Sequence, residues 1–150
     1  MKTFLWCVAP LALFGCGSSS GGGPVAAAWL GTFSADVTQI EDCSGVQHTD
    51  TLSGTITLVT GSSGGTVITQ PGSNDCDLTW TVNGNTAGLD STQTCPTGPG
   101  SVGGTWTPTF NAGSLNLSGT TITIADDGTA VYVNGSTQTC QFTQSGTFSK

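Results

Sequence analysis

The chain has 150 residues and few charges: two lysines, no arginine and nine carboxylates, for a formal charge of −7. Without cationic side chains to displace counterions from phosphate, nucleic-acid binding is excluded, and polybasic attachment to anionic lipid with it. The length suits one domain, and the abundance of Gly, Thr and Ser is that of a secreted β protein.

Residues 1–15 carry the three parts of a secretory signal. Lys2 is a minimal positive region, residues 4–13 are an apolar run, and the small Gly15 precedes a cut. The run is too short to span a bilayer, which takes about 20 residues, and Pro10 interrupts it. Leu13-Phe14-Gly15-Cys16 resembles the lipobox of bacterial lipoproteins. That resemblance implies cleavage before Cys16, a diacylglyceryl group on its sulfur and usually a further acyl chain, such as palmitate, on its new amino group. Several chains on one cysteine anchor a protein stably, whereas one binds marginally. Gly17, rather than an aspartate, follows the cysteine, which by the same resemblance favours the outer membrane, on either face. An ordinary signal peptide with Cys16 left as a free thiol is the competing reading. Residues 16–24 then form a Gly/Ser tether with nothing apolar to bury, of about 15 Å reach. Cleavage leaves one lysine, Lys150, against nine carboxylates.

Residues 25–150 read as a single β domain. From Trp29 the apolar residues recur every second position, with Gly31, Phe33, Ala35 and Val37 on one strand face. A polar turn is expected at residues 41–45. Leu52, Gly54, Ile56 and Leu58 line a second strand, and residues 67–70 a short third one. Leu78, Trp80 and Val82 alternate up to Asn83-Gly84, a strong hairpin signal, and the chain returns over residues 86–95. Residues 96–104, with two prolines and four glycines, predict a surface loop. Trp106 and Phe110 open the next strand, with Pro108 marking an edge or a bulge. Leu115 and Leu117 share one parity and Ile122 and Ile124 the other, so a bulge or tight turn is expected at Ser118-Gly119. Asp126-Asp127-Gly128 reads as a turn, Asn134-Gly135 as a second hairpin turn, and residues 136–148 as the last strand.

Short segments echo one another, as in Ser91-Thr92-Gln93-Thr94-Cys95 and Ser136-Thr137-Gln138-Thr139-Cys140, without a fixed period. The expected fold is an all-β, antiparallel up-and-down meander of eight to ten strands, its closed or nearly closed barrel form favoured over a two-sheet sandwich. Immunoglobulin spacing does not fit, because Trp80 follows Cys76 too closely and Gln138 stands where the corner tyrosine belongs.

Four cysteines lie in the domain: Cys43, Cys76, Cys95 and Cys140. An even number in an exported chain predicts two disulfides, and their wide spacing argues against zinc. Of three connectivities, alternating strand directions favour Cys43–Cys76 with Cys95–Cys140.

No catalytic constellation stands out. The one histidine, His48, is in a polar stretch without a nucleophile motif, so a hydrolase centred on it is the weakest functional reading. Acidic segments at Asp75/Asp77 and at Asp126/Asp127 offer oxygen ligands without the spacing of a calcium loop, and no metal or other cofactor is expected. Trp29, Trp80 and Trp106 alternate like core residues, but would line a ligand cavity if the barrel were unfilled. The expectation is a lipid-anchored envelope protein with a non-enzymatic binding or structural domain, its partners the membrane and possible protein or small apolar ligands. The alternative is a lipocalin-like carrier of a small apolar ligand, a resemblance of architecture only.

Overall fold

A computed structural model describes residues 24–71, 76–100 and 103–150. The signal segment, Cys16, most of the tether and Asp75 lie outside these residues. Ten strands follow a short 3-10 turn at Ala27–Trp29: β1 Gly31–Cys43, β2 Val46–Thr60, β3 Thr66–Pro71, β4 Leu78–Asn83, β5 Thr86–Leu89, β6 Gln93–Thr94, β7 Gly98–Pro99, β8 Thr105–Ser118, β9 Thr121–Val133 and β10 Thr137–Ser149. Every pairing is antiparallel.

The strands β1, β2, β3, β4, β5, β8, β9 and β10 pair in that order, and β10 pairs back onto β1. The result is a closed ring of eight strands rather than two facing sheets. β6 and β7 lie outside this circuit, against the first half of β8, whose second half holds β5. A register shift between Phe110 and Ala112 separates the two halves of β8.

The period-two pattern states which face is which. Along β9, Ile122, Ile124, Asp126, Gly128 and Ala130 are buried, and the residues between them lie on the other side. Phe33, Leu58, Trp80, Leu115 and Phe148 join Ile122 in one apolar core. Burying side chains of this size stabilises by about 1.5–3 kcal/mol each.

The parity slip at Ser118-Gly119 is a tight turn: Gly119 has φ +63°, and β8 and β9 pair from Ser118 with Thr121 onward. Several other boundaries differ from expectation. β1 continues to Cys43, so the first turn shrinks to Ser44-Gly45, where Asp42 Oδ1 accepts the Gly45 N–H at 2.7 Å. Trp29 precedes β1, in the 3-10 turn. The hairpin turn expected at Asn83-Gly84 sits one residue later, at Gly84-Asn85.

The strand expected over residues 86–95 breaks at 90–92 into β5 and β6. Gln93 bridges the break, its side-chain amide accepting from Thr79 N and donating to Thr79 O, both at 2.8 Å. The loop at 96–104 contains β7. Asp126-Asp127-Gly128 is no turn but the middle of β9. A Cβ on Gly128 would meet the Thr109 carbonyl and the Phe142 ring, so this glycine serves close packing.

Both disulfides form, with a pairing other than the one expected: Cys43–Cys140 and Cys76–Cys95. Ring closure explains the first. β1 and β10 are neighbours with Asp42 opposite Gln141, and one step further brings Cys43 and Cys140 face to face, Cα atoms 4.4 Å apart. That is the spacing of a directly opposed cross-strand pair. Cys76 and Cys95 flank β4 and β6 at the same end of the ring.

The opposite end is sealed. Trp29 is fully buried there and donates its indole N–H to the Gly84 carbonyl at 3.1 Å. Lys150 completes the seal, its ammonium 4.9 Å from the centre of the Phe33 ring and 3.4 Å from the Ala28 carbonyl.

Candidate functional site

Strand lengths create the site. β2 has 15 residues and β3 has six, pairing only from Ile56–Pro71 to Thr60–Val67. Residues 46–55 of β2 therefore have β1 on one side and no described strand on the other. Their inward row loses its cover: Leu52 is 44% exposed although it lies opposite the buried Val37. Across the gap stand β6, β7 and the Cys76–Cys95 disulfide.

Between these walls lies a cavity of roughly 1080 Å³, bounded by Leu52 and Ile56 on one side, Pro96 and Pro99 on the other, and Trp80 and Trp106. This volume lies just above the range for small-molecule sites, roughly 300–1,000 Å³, and the space is open on one side.

The structure thus separates the three tryptophans. Trp29 is the plug of the closed end and does not border the cavity, which corrects its place among the ligand-binding candidates. Trp80 and Trp106 line it. Trp80 is held by its indole N–H, which donates to Thr69 Oγ1 at 3.1 Å. Trp106 packs at a tilt on Tyr132, ring centres 6.4 Å apart.

A belt of polar side chains crosses the interior. The register sets Gln39 of β1 opposite Gln144 of β10, Gln144 opposite Asp126 of β9, and Asp126 opposite Gly113 of β8. Gln144 Nε2 donates to Gln39 Oε1 at 2.7 Å. Nearby, the Tyr132 hydroxyl donates to the Glu41 carboxylate, 2.8 Å and 3.0 Å from its two oxygens. Burial and this hydrogen bond raise the tyrosine's pKa above its ordinary value.

Asp126 is the unusual member. It is only 6% exposed, it borders the cavity, and neither carboxylate oxygen has a hydrogen-bond partner among the described residues. Burial, and secondarily the charge of Asp127, push its pKa from 3.8 up to about 7. A bare buried carboxylate is costly, so the group either keeps a proton or meets a donor from outside the chain.

Asp127 points outward, into a shallow depression shared with Asp42 and Gln141. The two neighbouring carboxylates therefore cannot converge on one calcium ion. Among the described residues no group of three or more His, Cys, Asp or Glu is placed to hold a metal.

His48 lies on the uncovered half of β2, 71% exposed, its Nε2 3.2 Å from Asp50 Oδ1.

Sequence reading took Asp126 for a turn carboxylate paired with Asp127, because Asp-Asp-Gly has turn composition. The signal that could have found it was parity, since Asp126 continues the inward row of Ile122 and Ile124. Comparison with protein-family models, curated proteins and solved structures found no match to this chain.

Proposed function

We propose that the chain is an exported, lipid-anchored protein of the bacterial cell envelope whose ring binds a small, mainly apolar ligand without transforming it. The observation that carries the binding reading is the aromatic-lined cavity at the uncovered half of β2. A purely structural module would be expected to fill this interior. The anchor reading rests on the lipobox-like Leu13-Phe14-Gly15-Cys16 and the outer-membrane assignment on Gly17. The arrangement suits such a role, because the tether joins the ring at the Trp29 end while the cavity opens toward the other.

Two measurements test the proposal. Mass spectrometry of the native protein should find residues 1–15 removed and acyl chains on Cys16, and Cys16→Ser should release the protein from membranes. An unmodified thiol would refute the anchor. Titration with a fluorescent apolar probe should reveal one saturable site that Leu52→Trp, filling the mouth, abolishes. Probe binding unaffected by that substitution would refute the cavity as the site.

A further inference from the structure

Resting on that reading, we propose that the cavity recognises a protonated organic amine with an aromatic or aliphatic body, and that Asp126 is its counter-ion. Trp80 and Trp106 would flank the body.

The argument starts from an imbalance of partners around the carboxylate. A buried acid normally accepts hydrogen bonds or faces a cation. Asp126 does neither, although its oxygens are buried at the cavity wall. Among the described residues, the side-chain donors around it bond elsewhere, and the one without a partner, the Trp106 indole N–H, does not reach it. The Gln144 amide donates to Gln39, the Trp80 indole to Thr69, and the Tyr132 hydroxyl to Glu41. Gly113, opposite Asp126 on β8, has no side chain to offer.

The remaining charges do not help. Asp127 on the same strand and Glu41 on β1 are themselves acids, and on β2 His48 faces Asp50 at the exposed end. The chain's only lysine besides Lys2 is Lys150, which is held at the sealed end against Ala28 and Phe33. A ligand that carries a positive charge would give the ionised Asp126 a partner that the described residues do not supply.

The aromatic side of the site is placed for such a ligand. A Cβ built on Gly113 would come 2.9 Å from Asp126 Cβ and 3.0 Å from Cζ3 of Trp80. The same glycine therefore has the carboxylate on one side and the indole ring on the other. Asp126 and Trp80 thus close over the same glycine and both border the cavity, so a cation bound in the cavity beside Asp126 would have the indole as a neighbour. The large apolar remainder of the cavity would take the body of the molecule.

The test uses three naphthylethyl probes that share one body: the primary amine, the alcohol and the corresponding carboxylate. Each is titrated calorimetrically into the purified full chain at pH 8. The amine is expected to bind about ten-fold or more tighter than the alcohol, as a charge-assisted contact to a buried carboxylate implies, and the carboxylate most weakly. Asp126→Asn should remove the gap between amine and alcohol with both still bound, which also reports an intact cavity. Amine affinity should rise from pH 5.5 to pH 8, as Asp126 loses its proton while the amine keeps its own. Equal binding of the three probes, or an amine preference that survives Asp126→Asn, would overturn the proposal and leave the cavity reading standing. Binding of none of them would overturn both.

Discussion

Replacing Asp126 by asparagine should stabilise the protein at neutral and alkaline pH and leave it unchanged in acid. The native carboxyl holds its proton up to about pH 7, against an ordinary value of 3.8. Between those values the unfolded chain has released a proton that the folded chain keeps, so folding loses stability as pH rises. The loss starts near pH 4, is complete above about pH 7, and amounts to about 4 kcal/mol for a shift of this size at about 1.4 kcal/mol per pH unit. Asparagine is a neutral isostere and escapes it. Urea unfolding of both proteins, ligand-free and with disulfides intact, should be followed from pH 3.5 to pH 8.5. The stability difference should be near zero at the acid end and climb by about 4 kcal/mol in favour of the Asp126→Asn variant toward pH 8. Because burial outweighs the charge of Asp127, Asp127→Asn should flatten the wild-type curve only slightly. A pH-independent difference, or an asparagine variant less stable than its parent at pH 8, would show that the carboxylate is not buried without a partner.

The packing sets three further outcomes. Removing Cys43–Cys140 with a pair of alanines should cost more than removing Cys76–Cys95, because the bridged residues are 97 apart rather than 19. Chain entropy gives about 4–5 against about 3 kcal/mol, and peptide mapping without reductant should recover these two linkages and no others. Gly128→Ala should cost about 1–3 kcal/mol or more in urea unfolding, since its methyl would press on the Thr109 carbonyl and Phe142; a cost below about 0.5 kcal/mol would contradict the close approach. Tyr132→Phe strips the Glu41 carboxylate of its donor and should cost about 2 kcal/mol at pH 7, whereas an unchanged unfolding midpoint would mean that water replaces the hydroxyl freely.

How much of this was readable without coordinates depends on the range of the cause. Alternation is local, so the inward row of β1 up to Val37, the Ile122 and Ile124 end of β9 and the turn at Gly119 could be read from neighbouring residues. Asp126-Asp127-Gly128 misled because two different needs select glycine: positive φ in a turn, or lack of bulk under a crossing side chain. Here the second applies. The cysteine pairing failed for another reason. Strand direction says which end of the ring a residue occupies, but all four domain cysteines gather at one end, and the choice among them depends on β1 meeting β10. The cavity was hidden in a length. Residues 46–50 are mostly polar and read as a link between strands, whereas they extend β2 past the reach of β3. The tryptophans shared one pattern in sequence, and only the ring's topology made Trp29 a plug and Trp80 a wall.

The seal built by Trp29 and Lys150 has a practical corollary for anyone handling the molecule. Lys150 sits beside Ala28, and its amide nitrogen is 3.3 Å from the Thr120 carbonyl, so both ends of the described chain leave from one pole. Any sequence continuing past Lys150 would emerge beside Ala28, where an attached reporter would disturb the plug. An epitope inserted at Asn134-Gly135, in the hairpin at the far pole, would face outward and leave that contact alone.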